Sequence, residues 1–139
     1  MNRRFVPLHA SAGFPSPAEG WQERELDLRN LLTPHPDFTD FIRVKGTSMV
    51  PSIQNGDYLV VDHALEMVNG AIIIAVVNGS HLVKQVHLTK NGITLSSFNP
   101  HYPPLQGTNL PDFELWGVVT WGLTPLYPPS LLIPPGAKK

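Results

Sequence analysis

The apolar positions of this chain fall in short runs separated by turn residues, not at helical spacing. Ala71 to Val77 is continuously apolar, as a strand buried on both faces would be. Asn78-Gly79 follows, and then the run His81 to Leu88, at the spacing of a two-residue hairpin. Such a turn sets Val77 opposite Ser80 and Ile73 opposite Lys84. Asn55-Gly56 leads into Tyr58-Leu59-Val60-Val61, and Asn91-Gly92 turns toward Ile93-Thr94-Leu95. Phe113 to Leu123 alternates, which predicts a strand with Phe113, Leu115, Val119, Trp121 and Leu123 on one face. One short helix is predicted from Asp27, its cap, to Leu32, with Leu28, Leu31 and Leu32 sharing a face and Thr33-Pro34 ending it. No internal repeat is present. The elements predict a mainly β fold: a curled antiparallel sheet or partly closed barrel with an extended N-terminal arm. The division expected is an arm over residues 1–25, a β domain over 26–123 and a proline-rich tail over 124–139.

Composition narrows the partners. Ten Lys or Arg against eleven Asp or Glu leave a net charge of −1, so tight direct binding to nucleic acid is not expected. The absence of cysteine excludes a disulfide framework, a thiol nucleophile and a Cys-based zinc site. Charged residues are 15% of the chain and prolines number 15 of 139, which suits a β-rich domain with extended arms better than a helical bundle. The apolar stretch Phe5 to Leu8 is too short for a secretory signal or a membrane span, so a soluble, cytoplasmic protein is expected. The segment from Thr124 to Lys139 carries five prolines and reads as an extended tail.

Two residues stand out chemically. The hairpin register places Lys84 among Leu82, Val86 and Ile73, on the apolar side of the sheet. Its stem could carry the ammonium out to water, or a one-residue slip could expose it. Burial would instead lower its pKa and make a neutral amine, a competent general base. The second residue is Ser48, in the turn Gly46-Thr47-Ser48-Met49-Val50-Pro51, where free backbone N–H groups could stabilise an oxyanion. A serine in a turn is commonplace; with a neutral lysine it forms a nucleophile–base pair. A substrate for that pair lies in the same chain. In the arm segment His9-Ala10-Ser11-Ala12-Gly13-Phe14-Pro15, Ala10 and Ala12 share one strand face and fit two shallow pockets. Laid along a cleft as an added strand, the arm would offer the Ala12–Gly13 bond to Ser48.

Several motifs then occur in order. They are Ala12-Gly13-Phe14-Pro15-Ser16-Pro17-Ala18, Leu26-Asp27-Leu28 with Leu31-Leu32 and His35-Pro36, Gly46-Thr47-Ser48-Met49, Gly56-Asp57 with Leu59-Val60-Val61-Asp62, and Lys84. Together they resemble the UmuD family of self-cleaving accessory subunits of error-prone DNA polymerase V, related to the LexA repressor. The resemblance implies a fold like that of LexA and signal peptidase, a homodimer and damage-triggered autoproteolysis in the SOS response. It assigns Ser48 as nucleophile, Lys84 as general base, Met49 N–H as an oxyanion-hole donor and Ala12–Gly13 as the scissile bond, with Ala10 in substrate recognition. Implied partners are the RecA filament on single-stranded DNA and a Y-family, UmuC-like polymerase subunit for translesion synthesis. No cofactor or metal is implied, and no membrane.

Four other readings are weaker. A LexA-type repressor would need a helix-turn-helix before the cleavage site, for which twelve residues leave no room. A signal peptidase would need a membrane anchor. A metal enzyme would rest on His81 and His87, on the face opposite Lys84 and without a nearby carboxylate. A dimeric, non-catalytic module of the same fold that binds a polymerase is the main alternative.

Overall fold

The computed structural model of the chain describes residues 2–4 and 25–131. It divides into two compact units, residues 1–36 and 37–139. In the first unit, β1 (Asn2–Arg4) pairs antiparallel with β2 (Glu25–Asp27), Asn2 lying opposite Asp27. Helix α1 (Leu28–Leu32) follows directly. The Asp27 carboxylate caps it by accepting from the Arg29 N–H at 3.0 Å and the Asn30 N–H at 3.4 Å, and Thr33 closes its C-terminus, as the sequence predicts. Ala10, Ala12 and Gly13 lie outside the described residues.

The second unit is built on seven antiparallel strands. They are β3 (Thr39–Arg43), β4 (Tyr58–Asp62), β5 (Ile72–Val77), β6 (Ser80–Thr89), β7 (Gly92–Ser96), β8 (Leu105–Gln106) and β9 (Phe113–Leu123). Their order in the sheet is β3-β4-β9-β5-β6-β7-β8, with β3 and β8 at its edges, so the sheet is not closed. Among the described residues the fold is mainly β with one short α-helix, as expected.

The β5–β6 hairpin has the predicted register, Val77 opposite Ser80 and Ile73 opposite Lys84. Asn78 and Gly79 both take positive φ, 51° and 81°, the backbone that a type I′ turn requires. The apolar continuity of β5 has the predicted cause. Ile74 enters one core with Val44, Met49, Ile53, Leu59 and Val61, while Ile73, Ala75 and Val77 enter another with Val86, Leu95 and Val118. The next turn sits one residue earlier than Asn91-Gly92 suggests: Thr89 pairs with Gly92, leaving Lys90 and Asn91 as the loop.

Strand β9 departs from simple alternation. Ile74 pairs with Gly117 but Ala75 with Leu115, which skips Trp116; Val60 pairs with Trp121 but Val61 with Val119, which skips Thr120. Each irregularity reverses the inward and outward sense of the strand residues beyond it. Phe113, Leu115, Trp121 and Leu123 therefore keep a common face, and Val119 is turned to the other, against the first core. Of the segment read as an extended tail, residues 124–131 are described, and Pro129–Leu131 form a 3₁₀ turn.

Candidate active site

Ser48 lies in the loop between β3 and β4, and local bonds shape that loop. The Thr47 carbonyl accepts from the Val50 N–H at 3.3 Å and the Met49 carbonyl from the Ile53 N–H at 2.9 Å. Neither bond uses the Met49 N–H. The Met49 side chain is 2% exposed and fixes the turn to the first core. Further along, Asp57 is buried and its Oδ2 accepts from the Gln54 N–H at 2.8 Å, while the Gly46 N–H donates to Asn55 Oδ1 at 3.0 Å. These two bonds from backbone N–H groups to side-chain oxygens hold the loop from behind.

Lys84 is 7% exposed, on the β6 face that also carries buried Val86. Burial lowers its pKa from the ordinary lysine value. No carboxylate forms a salt bridge with it among the described residues. Its Nζ donates to Ser97 Oγ at 2.6 Å, not to Ser48, and lies 5.8 Å from the centroid of the Tyr102 ring.

The segment from Ser97 to Tyr102 touches both groups. The Asn99 N–H donates to the Ser48 carbonyl at 3.0 Å, Asn99 Nδ2 donates to the Thr47 carbonyl at 2.9 Å, and Tyr102 Oη is 3.3 Å from Thr47 Oγ1. Ser97, Asn99 and Tyr102 were not legible as site residues. They follow β7 in irregular chain, where hydrophobic periodicity carries no signal. Counting the register back from the Lys90-Asn91 loop would have set Ser97 across from Lys84.

Ser48 and Met49 line a cleft of about 360 Å³ whose walls are mostly apolar, including Ile42, Val44, Ile74, Leu82 and Trp116, with Arg43, Lys45 and His81 also lining it. Lys84 is not among its lining residues. The bulge in β9 that frees Trp116 from the ladder also frees its carbonyl, and His63 takes it. One His63 ring nitrogen bonds the Trp116 carbonyl, and Nε2 bonds Asp40 Oδ2 at 2.7 Å. Both partners are acceptors, so only the imidazolium satisfies both. The Trp116 carbonyl and then the Asp40 carboxylate raise the His63 pKa above its ordinary value, against the opposing effect of burial. The stabilisation from His63 is therefore complete below its unfolded pKa of 6.5 and is lost as pH rises through the higher folded value. The thermal stability of the wild type is expected to fall as pH rises above 6.5, and His63→Gln should remove that part of the slope.

The two histidines considered as metal ligands have other neighbours. His81 packs edge-on against Trp116 at 5.3 Å, and His87 Nε2 is 2.9 Å from Ser96 Oγ.

Comparison with known proteins gives the family. Residues 5–120 match the model of the family described as Peptidase S24-like. The chain belongs to that family. Among S24-like relatives, Protein MucA of Salmonella typhimurium is 39% identical over 121 residues, covering 86% of this chain and 82% of that protein. Protein SamA of Salmonella typhimurium strain LT2 is 42% identical over 110 residues, covering 78% and 76%. The LexA repressor of Bordetella parapertussis is 34% identical over 117 residues, 81% of this chain and 53% of the repressor. The chain is thus a UmuD-like member of a serine peptidase family. No helix among the described residues is long and apolar enough to cross a membrane.

Proposed function

We propose that this S24-like chain is an autoproteolytic serine peptidase of the DNA-damage response that cuts its own Ala12–Gly13 bond. Ser48 is the nucleophile and neutral Lys84 the general base. The observation that carries this reading is Lys84 itself: a lysine 7% exposed, its pKa lowered by burial, bonded to a hydroxyl and, among the described residues, to no carboxylate. A buried amine without an ion-pair partner is costly for stability alone and useful as a base.

In the proposed reaction Lys84 Nζ takes the Ser48 hydroxyl proton as Oγ attacks the Ala12 carbonyl carbon, and the Met49 N–H faces the oxyanion. Collapse breaks the C–N bond, and Lys84 returns its proton to the Gly13 nitrogen. Water, deprotonated by Lys84, then attacks the acyl carbon; the C–O bond to Ser48 breaks and Lys84 returns the proton to Oγ. Ala10 and Ala12 fill the subsites before the scissile bond. A tethered substrate would be cut continuously if it were always docked. The attack-ready arm is therefore a minor state, and a RecA filament on single-stranded DNA raises its population. The processed chain, a cytoplasmic homodimer, serves a Y-family polymerase as accessory subunit in translesion synthesis.

Incubation of the wild type from about pH 7 to about pH 10, read by mass spectrometry, tests this directly. Cleavage should accelerate as Lys84 loses its proton, giving a chain that begins at Gly13. At neutral pH the filament should produce the same cut. A chain that stays whole with filament and at alkaline pH is a non-catalytic binding module of the same fold.

A further inference from the structure

The hydroxyl that Lys84 touches is Ser97, a residue with no role in the reaction as proposed. Ser97 is the first residue beyond β7. The last ladder pair there is Gln85 with Ser96, so continuing the antiparallel register by one step sets Ser97 across from Lys84 on the same face. The 2.6 Å bond from Lys84 Nζ to Ser97 Oγ is a cross-strand side-chain pair just past the end of the ladder. Two residues later, the Asn99 N–H holds the Ser48 carbonyl at 3.0 Å and Asn99 Nδ2 holds the Thr47 carbonyl at 2.9 Å. One short stretch of chain therefore grips the amine at one point and the serine turn at another.

The chemistry of the amine gives this grip a purpose. A neutral lysine amine has two N–H groups and one lone pair at the end of four rotatable bonds, and only the lone pair can act as base. Left free, it would sample orientations most of which direct an N–H at the nucleophile. An acceptor that occupies one N–H restricts where the lone pair points. The Tyr102 ring, 5.8 Å from Nζ, closes another direction.

Accepting the Ser48–Lys84 dyad, we infer that Ser97 is a positioning residue, its Oγ holding one Lys84 N–H so that the lone pair is presented to the Ser48 hydroxyl. The consequence separates it from a packing role. Ser97→Ala removes an acceptor that serves the ammonium better than the amine, so the Lys84 titration moves to lower pH while the maximal cleavage rate falls. Mere loosening would admit water and move the titration up.

The test is the pH–rate profile of self-cleavage for the wild type, Ser97→Ala, Ser97→Thr and Lys84→Met, with the Lys84 Cε resonance followed by carbon-13 NMR as a readout independent of cleavage. Expected are a plateau about ten- to a hundredfold lower for Ser97→Ala, a downward shift of midpoint and NMR titration together, and near-wild-type behaviour of Ser97→Thr, which keeps the hydroxyl. A Ser97→Ala plateau within about twofold of wild type, or a titration that is unmoved or moves up, overturns the positioning role and leaves the dyad standing. Cleavage by Lys84→Met at the wild-type rate removes the dyad, and Ser97's role with it.

Discussion

Ser48→Ala and Lys84→Met are each expected to leave the chain whole under conditions that cut the wild type, a loss of more than about a thousandfold in rate. The two should differ in stability. Ser48 is half-buried on a turn whose bonds run through backbone groups and the Met49 side chain, so losing its hydroxyl should scarcely change unfolding. Lys84 is different, because its pKa is lower folded than unfolded. Below the folded value both states carry the proton, and the folded state bears the full cost of burying charge. Between the folded value and the unfolded value of 10.5, the unfolded chain binds more protons, so stability rises with pH. Methionine has similar length and no charge. Lys84→Met should therefore unfold later at neutral pH, by about 1 kcal/mol, and the advantage should shrink as pH approaches 10.5. Denaturant titrations at three pH values would check it. An inactive variant less stable than wild type at neutral pH would mean that the lysine is there for packing.

Gly117→Ala is expected to destabilise the fold by about 1–3 kcal/mol, toward the upper end. A Cβ at Gly117 would stand 2.4 Å from Val61 Cγ1 and 3.1 Å from His63 Nδ1. Val61 is fully buried in a central strand and cannot swing aside, and His63 is held by the Trp116 carbonyl and Asp40. The methyl group must therefore displace strand from strand or break the clasp on the bulge. Urea unfolding of Gly117→Ala, Val61→Ala and the pair together gives the check. The double variant should cost less than the sum of the singles, because shortening Val61 makes room for the new methyl. Additive costs would show that the close approach is not the cause.

How much of this was legible depended on sequence distance. The β5–β6 hairpin was, because Asn78-Gly79 fixes its register locally, and with it the place of Lys84 opposite Ile73; whether its amine was buried or reached water was left open. The cap at Asp27 was legible for the same reason. The alternating run from Phe113 to Leu123 announced a strand but not its neighbours, since pairing with β4 and β5 is a long-range choice that no local pattern encodes. Nor did it announce the irregularities at Trp116 and Thr120, where apolar residues continue while the backbone slips. Ser48 and Lys84 were identified as candidates from turn chemistry and misplaced charge. The polar segment that touches both was hidden, because Ser97, Asn99 and Tyr102 act through individual hydrogen bonds and ring contacts, which leave no periodic pattern.

The place of β9 has a consequence for how the molecule is made. The serine turn belongs to the β3–β4 hairpin and the lysine to the β5–β6–β7 meander, and within the sheet only the last strand joins these halves. During translation both halves can emerge and form their own turns while Phe113–Leu123 is still inside the ribosome. Until that strand slots between them the two halves of the sheet stay separate, and the self-cleavage proposed above has to wait for it.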